Sequence, residues 1–98
     1  MSARDDLMVV VLDSGKVVVG FVIDIDDLWV GLEFPLEIFS NEGQMDMKSY
    51  NIVPDDLLYQ HDVPVMFYLS HVVSIGSPSP KIRTAYYSIM AEIGLIDI

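Results

Sequence analysis

The chain has no cysteine. That removes disulfides and thiolate metal sites from consideration and suits a reducing compartment. Basic residues are scarce: five Lys and Arg stand against fifteen Asp and Glu, for a net charge of −10 and a pI near 4.1. The five are Arg4, Lys16, Lys48, Lys81 and Arg83, scattered along the chain. Nucleic-acid affinity comes mostly from neutralising phosphates with such groups, so the chain as a whole repels a polyanion. A nucleic-acid site would have to be local, or repeated around a ring so that few bases per subunit add up. No apolar run approaches the ~18 uninterrupted residues of a membrane helix, and the polar Met1–Asp6 stretch is not a secretory leader. There is no phosphate-binding glycine loop and no nucleophile-elbow motif.

Apolar residues, by contrast, are abundant. They make up 52% of the 98 positions, and the mean hydropathy is +0.43. One domain covering residues 1–98 is the expectation for this length. It can bury roughly two-thirds of its unfolded surface. The apolar surplus predicts surface hidden between copies in an oligomer.

The pattern is that of a β protein. Leu7–Leu12 is a short β-branched run, read as a strand buried on both faces. Asp13–Lys16 is a turn in which Gly15 takes positive φ. Lys16–Asp24 is a second strand interrupted by Gly20, which marks a bulge or bend. Leu28–Phe39 is a third, with Pro35 marking a bulge or an edge. Ser40–Gly43 reads as a loop, Met45–Val53 as a further extended piece, and Pro54–Asp56 as a breaker. Val63–Leu69 and His71–Ile75 are short strands separated by Ser70. Ser79 caps a helix whose first residue is Pro80. Ile82, Ala85, Tyr86, Ile89, Met90 and Ile93 fall on one helical face, and Gly94 is a C-terminal stop. The fold class expected is mainly β: about five short antiparallel strands forming a bent, partly open small barrel, with one C-terminal α-helix.

Candidate chemistry centres on "GFVIDIDDLWVGLEF", residues 20–34. A calcium loop starting at Asp24 would need glycine sixth and glutamate twelfth, where the chain has Trp29 and Pro35. Starting at Asp26, Gly31 and Glu37 fit, but Leu28 and Val30 replace two oxygen ligands. A looser magnesium site at Asp24 and Asp26, or an acid/base pair there, lacks any substrate-positioning partner. The favoured reading is a solvated β-turn at Asp26 and Asp27. No metal, no cofactor and no enzyme activity is expected. His61 and His71 have no metal-ligand spacing. His61 reads as a loop residue, and His71 as structural ahead of ligand-binding. Tyr86 and Tyr87 read as packing side chains, and Met45 and Met47 as gap-fillers or interface residues.

These residues carry a resemblance. "VVVLDSGKVVVGFVIDIDDLWVGLEF" resembles the first half of an Sm/LSm domain, the Hfq branch included, with Leu12, Gly15, Gly20, Asp24–Asp26 and Leu32 at the family's positions. "YLSHVVSIGS", residues 68–77, resembles its second half, and "HVVS" resembles the His-apolar-apolar-Ser end of the Hfq motif. "PLEI", the "PSP" after the last strand and a tyrosine-bearing terminal helix are similar to the small Sm-like proteins of marine bacteriophages, cyanophages included. The resemblance implies a strongly bent five-stranded sheet that forms a homo-oligomeric ring of about five to seven subunits. Val65–Leu69 of one copy would pair with Val72–Ile75 of the next. The resemblance implies the ring but not that RNA binding is kept; one reading is a ring that binds RNA, or DNA, with a role in RNA/DNA processing, and Asp26, Trp29, Ser70 and His71 lining the pore side as the nucleic-acid-binding residues. It implies a location in the cytoplasm of a bacterial host. The departures are specific. Trp29 stands where the family has a base-contacting asparagine. Ser70–His71 stands where it has a cation-bearing pair. The helix follows the sheet rather than preceding it, and the stretch from Ser40 to Asp62 is an unusual insert. The alternative is an acidic structural or protein-interaction ring that has lost RNA binding.

Overall fold

The structure is a computed structural model and describes residues 6–50 and 65–92. The end of the fourth extended piece, the Pro54–Asp56 breaker, His61, residues 63–64, and the Ile93–Gly94 helix end lie outside the described residues. Among the described residues there are six strands and one helix: β1 Leu7–Leu12, β2 Val17–Ile25, β3 Trp29–Asn41, β4 Gln44–Ser49, β5 Val65–Tyr68, β6 Val72–Gly76 and α1 Pro80–Glu92. A single 3-10 turn, Leu69–His71, joins β5 to β6. The fold is mainly β with one C-terminal helix, and the antiparallel sheet does not close into a barrel.

The hairpins follow from local chemistry. Gly15 has φ +90, and the β1–β2 turn closes through Gly15 N–H donating to Leu12 O at 2.9 Å and Leu12 N–H to Lys16 O at 2.9 Å. The loop expected over Ser40–Gly43 is tighter than the sequence reading. Ser40 and Asn41 stay paired with Met45 and Gln44, and only Glu42 and Gly43 turn, with φ of 53 and 82. Two successive positive φ values match the twist of the flanking strands, so the ladder resumes at once as β4.

The strand order is β4-β3-β2-β1-β6, with β5 pairing β3 off this path. β3 is the pivot. Its first residues, Trp29–Leu32, pair β5, and its last, Leu36–Asn41, pair β4, while β2 occupies its other edge. Among the described residues, β5 and β6 are each paired along one edge only.

Alternation along a strand sends neighbours to opposite faces, and here both faces are buried. Val19, Phe21 and Leu36 join Leu7, Met47, Tyr86 and Met90 in one cluster. Val18 joins Val10, Leu12, Val30, Leu32, Val65 and Phe67 in the other. β1 serves both, as a strand buried on two faces should. Part of the apolar surplus is therefore absorbed within the single chain, before any contact between copies. The helix starts as its sequence predicts: Ser79 Oγ accepts Ile82 N–H at 3.3 Å, Pro80 is the first helical residue, and Tyr86 and Met90 are fully buried. Met47 is core, as a gap-filler.

Gly20 and Pro35, singled out separately in the sequence, meet at one irregularity. The β2–β3 register jumps between Val19 and Phe21, and Phe34 sits there with φ 52, an unusual conformation for a bulky residue. A Cβ on Gly20 would lie 3.0 Å from Glu33 O, 3.2 Å from Leu32 Cβ and 3.3 Å from Pro35 Cα. Two of those three atoms are backbone and cannot swing away. Gly20→Ala should cost about 1–3 kcal/mol through overpacking. Gly31→Ala meets Met66 Sδ at 2.7 Å, the mobile part of a thioether, and should cost less. Paired thermal melts check the order; equal melting temperatures would mean that the bend does not rely on Gly20.

Candidate functional site

The aspartates of residues 24–27 divide by role. Asp24 lies in β2 opposite Gly31. Asp26 builds the turn: its Oδ1 accepts Leu28 N–H at 2.7 Å and Trp29 N–H at 3.1 Å. Its own N–H donates to Trp29 O at 3.0 Å. This is the backbone-mimicking use of a short carboxylate that turns favour. Asp27 is exposed at the tip. Among the described residues no three His, Asp or Glu side chains gather in a way that could hold a metal ion.

This turn is tied to the segment after β5. Leu69 N–H donates to Leu28 O at 2.8 Å, so the Asp26–Trp29 connection and the Leu69–His71 turn lie side by side. Two of the four sequence-designated residues sit on each. Their side chains do not converge. His71 turns toward the β1–β2 hairpin, where its Nδ1 lies 3.0 Å from Asp13 Oδ2 and its carbonyl accepts Asp13 N–H at 2.8 Å. His71 and Asp13 border an open hollow of about 240 Å³ with Ser14, Tyr50, Phe67 and Tyr68. Asp26, Trp29 and Ser70 are not part of its lining. Ser70 is exposed.

Trp29 is half-buried. Its register partner across β3–β5 is Tyr68, and the two rings stand 6.1 Å apart, tilted by 55°. The indole Nε1 is buried without a hydrogen-bond partner among the described residues. Tyr68 is 60% exposed. Sequence reasoning missed Tyr68 and Met66; period-two alternation through "VMFY" was the available signal, since it puts these two on one face and Val65 and Phe67 on the other. It could not have paired His71 with Asp13, which is 58 positions away.

The electrostatics of the joined turns are one-sided. Asp26 and Asp27 are exposed on the first of them, and Asp24 is exposed two residues before it at the end of β2. Two of the chain's bases are engaged elsewhere: Lys16 Nζ lies 5.9 Å from the centre of the Tyr50 ring and Lys48 Nζ 5.0 Å from that of Phe39. Lys81 and Arg83 stand in the first turns of α1. No helix among the described residues is long and apolar enough to cross a membrane.

No protein-family model matches the chain, and no curated protein matches it.

Proposed function

We propose that this chain is a subunit of an Sm-like homo-oligomeric ring of about five to seven copies, and that the ring is an acidic protein-interaction platform. The observation that carries the functional half is the charge at the joined turns. Asp24, Asp26 and Asp27 stand exposed where the family resemblance would place phosphate-bearing chains, in a chain of net charge −10. Three carboxylates with no Lys or Arg paired to them among the described residues repel a nucleic-acid backbone. The ring half is supported by the strand order. β5 and β6 each keep an unpaired edge among the described residues, and an unpaired edge is a template for another chain. Joining β5 of one copy to β6 of the next is a head-to-tail contact, which closes into a ring when the rotation between copies suits.

A second reading, single-stranded RNA or DNA binding by Asp26, Trp29, Ser70 and His71, has one observation in its favour. Trp29 and Tyr68 form an aromatic pair with Tyr68 open to solvent, and aromatic faces stack bases without regard to sequence.

The test combines mass photometry with titrations of short single-stranded RNA and DNA at low and moderate salt. The expected result is a single oligomeric species of ring mass that ignores the oligonucleotides. A clean monomer at micromolar concentration overturns the ring. Salt-sensitive oligonucleotide binding that Tyr68→Ala removes overturns the platform in favour of the second reading.

A further inference from the structure

β2, β3 and β5 bring a set of apolar side chains together on one face, outside both buried clusters. Gly31 is the centre. A Cβ placed on it would lie 2.7 Å from Met66 Sδ and 3.5 Å from Ile23 Cγ1, so Ile23 and Met66 flank the bare backbone of β3. Two residues along β3, Trp29 packs against Tyr68. Ile23 is 44% exposed, Met66 42% and Tyr68 60%, and Leu28 at the adjoining turn is 64% exposed. Single exposed apolar residues need no explanation, but a continuous strip across three strands does. Its residue types are those of interface centres, where aromatic side chains and methionine are enriched. Met66 is also unbranched and adaptable, able to re-pack against an incoming side chain.

The border of the strip selects the occupant. Asp24 stands opposite Gly31 in the ladder, and Asp26 and Asp27 close the turn beside Leu28. An apolar centre with a three-carboxylate border complements a segment that is apolar on one side and basic on the other, and it disfavours nucleic acid and acidic peptides alike. We propose that the Ile23–Met66–Trp29–Tyr68 strip docks a basic, apolar segment of a partner protein, with Asp24, Asp26 and Asp27 facing its lysines or arginines. This names the partner chemistry for the platform and rests on that reading.

The experiment uses the full chain, fluorescence anisotropy and three probes: an amphipathic lysine–leucine peptide, its glutamate–leucine counterpart and oligouridine RNA. The lysine–leucine peptide should bind, more weakly as salt rises, and the other two should not. Replacing Ile23, Met66 and Tyr68 together by serine should weaken binding by about tenfold or more; because the three are partly buried the variant should also melt lower, so binding is read well below its melting transition, where it is fully folded. The D24N/D26N/D27N triple should weaken binding and flatten its salt dependence. The E42Q/D46N/E92Q triple, which removes as much charge elsewhere, should leave binding unchanged. Equal weakening by the two charge triples means diffuse attraction to an acidic protein and overturns the strip. So does unchanged binding by the serine variant, or binding of oligouridine at the strip. If the serine variant changes the oligomer mass instead, the strip is covered by a second copy and the proposal fails. Mass photometry on the same samples separates the two readings: a ring that ignores the peptide sinks the strip, and a monomer that binds it sinks the ring.

Discussion

Tyr86→Ala should lower the stability of the folded chain by about 3–5 kcal/mol, the cost of deleting a fully buried aromatic. The side chain is 0% exposed and stands edge-on to Phe21 with ring centres 5.5 Å apart. It is the main anchor of α1 on the sheet, with Met90 one turn further on. Its hydroxyl donates to Phe34 O at 2.8 Å, the carbonyl of the residue that holds positive φ at the bend. The helix is thus fastened at the point where β3 is most distorted. Tyr86→Phe keeps the ring and leaves that carbonyl without this donor. The bond is partly buried, so its loss should cost about 0.5–1.5 kcal/mol, the net worth of a typical hydrogen bond. A domain of this size has about 5–15 kcal/mol in total, so the alanine variant loses a large share of it. Urea titration at fixed protein concentration measures both, because association would add its own concentration-dependent stability. An alanine variant with the wild-type midpoint would show that α1 is dispensable to the sheet.

The contrast between what could and could not be read from the residues is one of range. Local chemistry was legible. Gly15 closes a tight turn, Ser79 and Pro80 start a helix, and the run of β-branched residues from Val9 to Val11 is a strand, because each depends on neighbours within a few positions. The bend was half legible: Gly20 and Pro35 each announce an irregularity, but their juxtaposition is a matter of β2–β3 register, which no local signal fixes. Ser40–Gly43 reads as a loop in the sequence. The structure needs only Glu42 and Gly43 to reverse direction, and polar residues on an exposed ladder remain strand. The apolar surplus predicts contacts between copies, and a sheet with a cluster on each face absorbs part of it within one chain. At the candidate site, Asp26 was legible as a turn residue because its hydrogen bonds reach only two and three positions ahead. The Trp29–Tyr68 and Asp13–His71 pairs were not, since both join residues far apart in sequence and depend on which strand lies beside which.

Trp29 separates these effects experimentally, because two substitutions there should part company. The indole is half-buried against Tyr68, so Trp29→Ala should cost about 2–3 kcal/mol, below the 3–5 kcal/mol of a fully buried large aromatic. Trp29→Phe keeps a ring against Tyr68 and removes the Nε1–H, which is buried and has no partner among the described residues. A buried unsatisfied donor costs about 1–3 kcal/mol, so its removal offsets the lost ring area, and the phenylalanine variant should lie within about 1 kcal/mol of wild type by that balance. For a chain of this length each kcal/mol moves the melting temperature by about 4–8 °C, so the two variants should melt well apart. Docking should follow the same order, with the lysine–leucine peptide held nearly as well by Trp29→Phe and clearly less well by Trp29→Ala, because the strip needs an aromatic face at this position and not an indole donor. If Trp29→Phe melts as low as Trp29→Ala, the indole N–H has a stabilising partner in solution. If both melt normally and both lose the peptide, the nitrogen itself contacts the partner, and the strip recognises a hydrogen-bond acceptor as well as an apolar, basic segment.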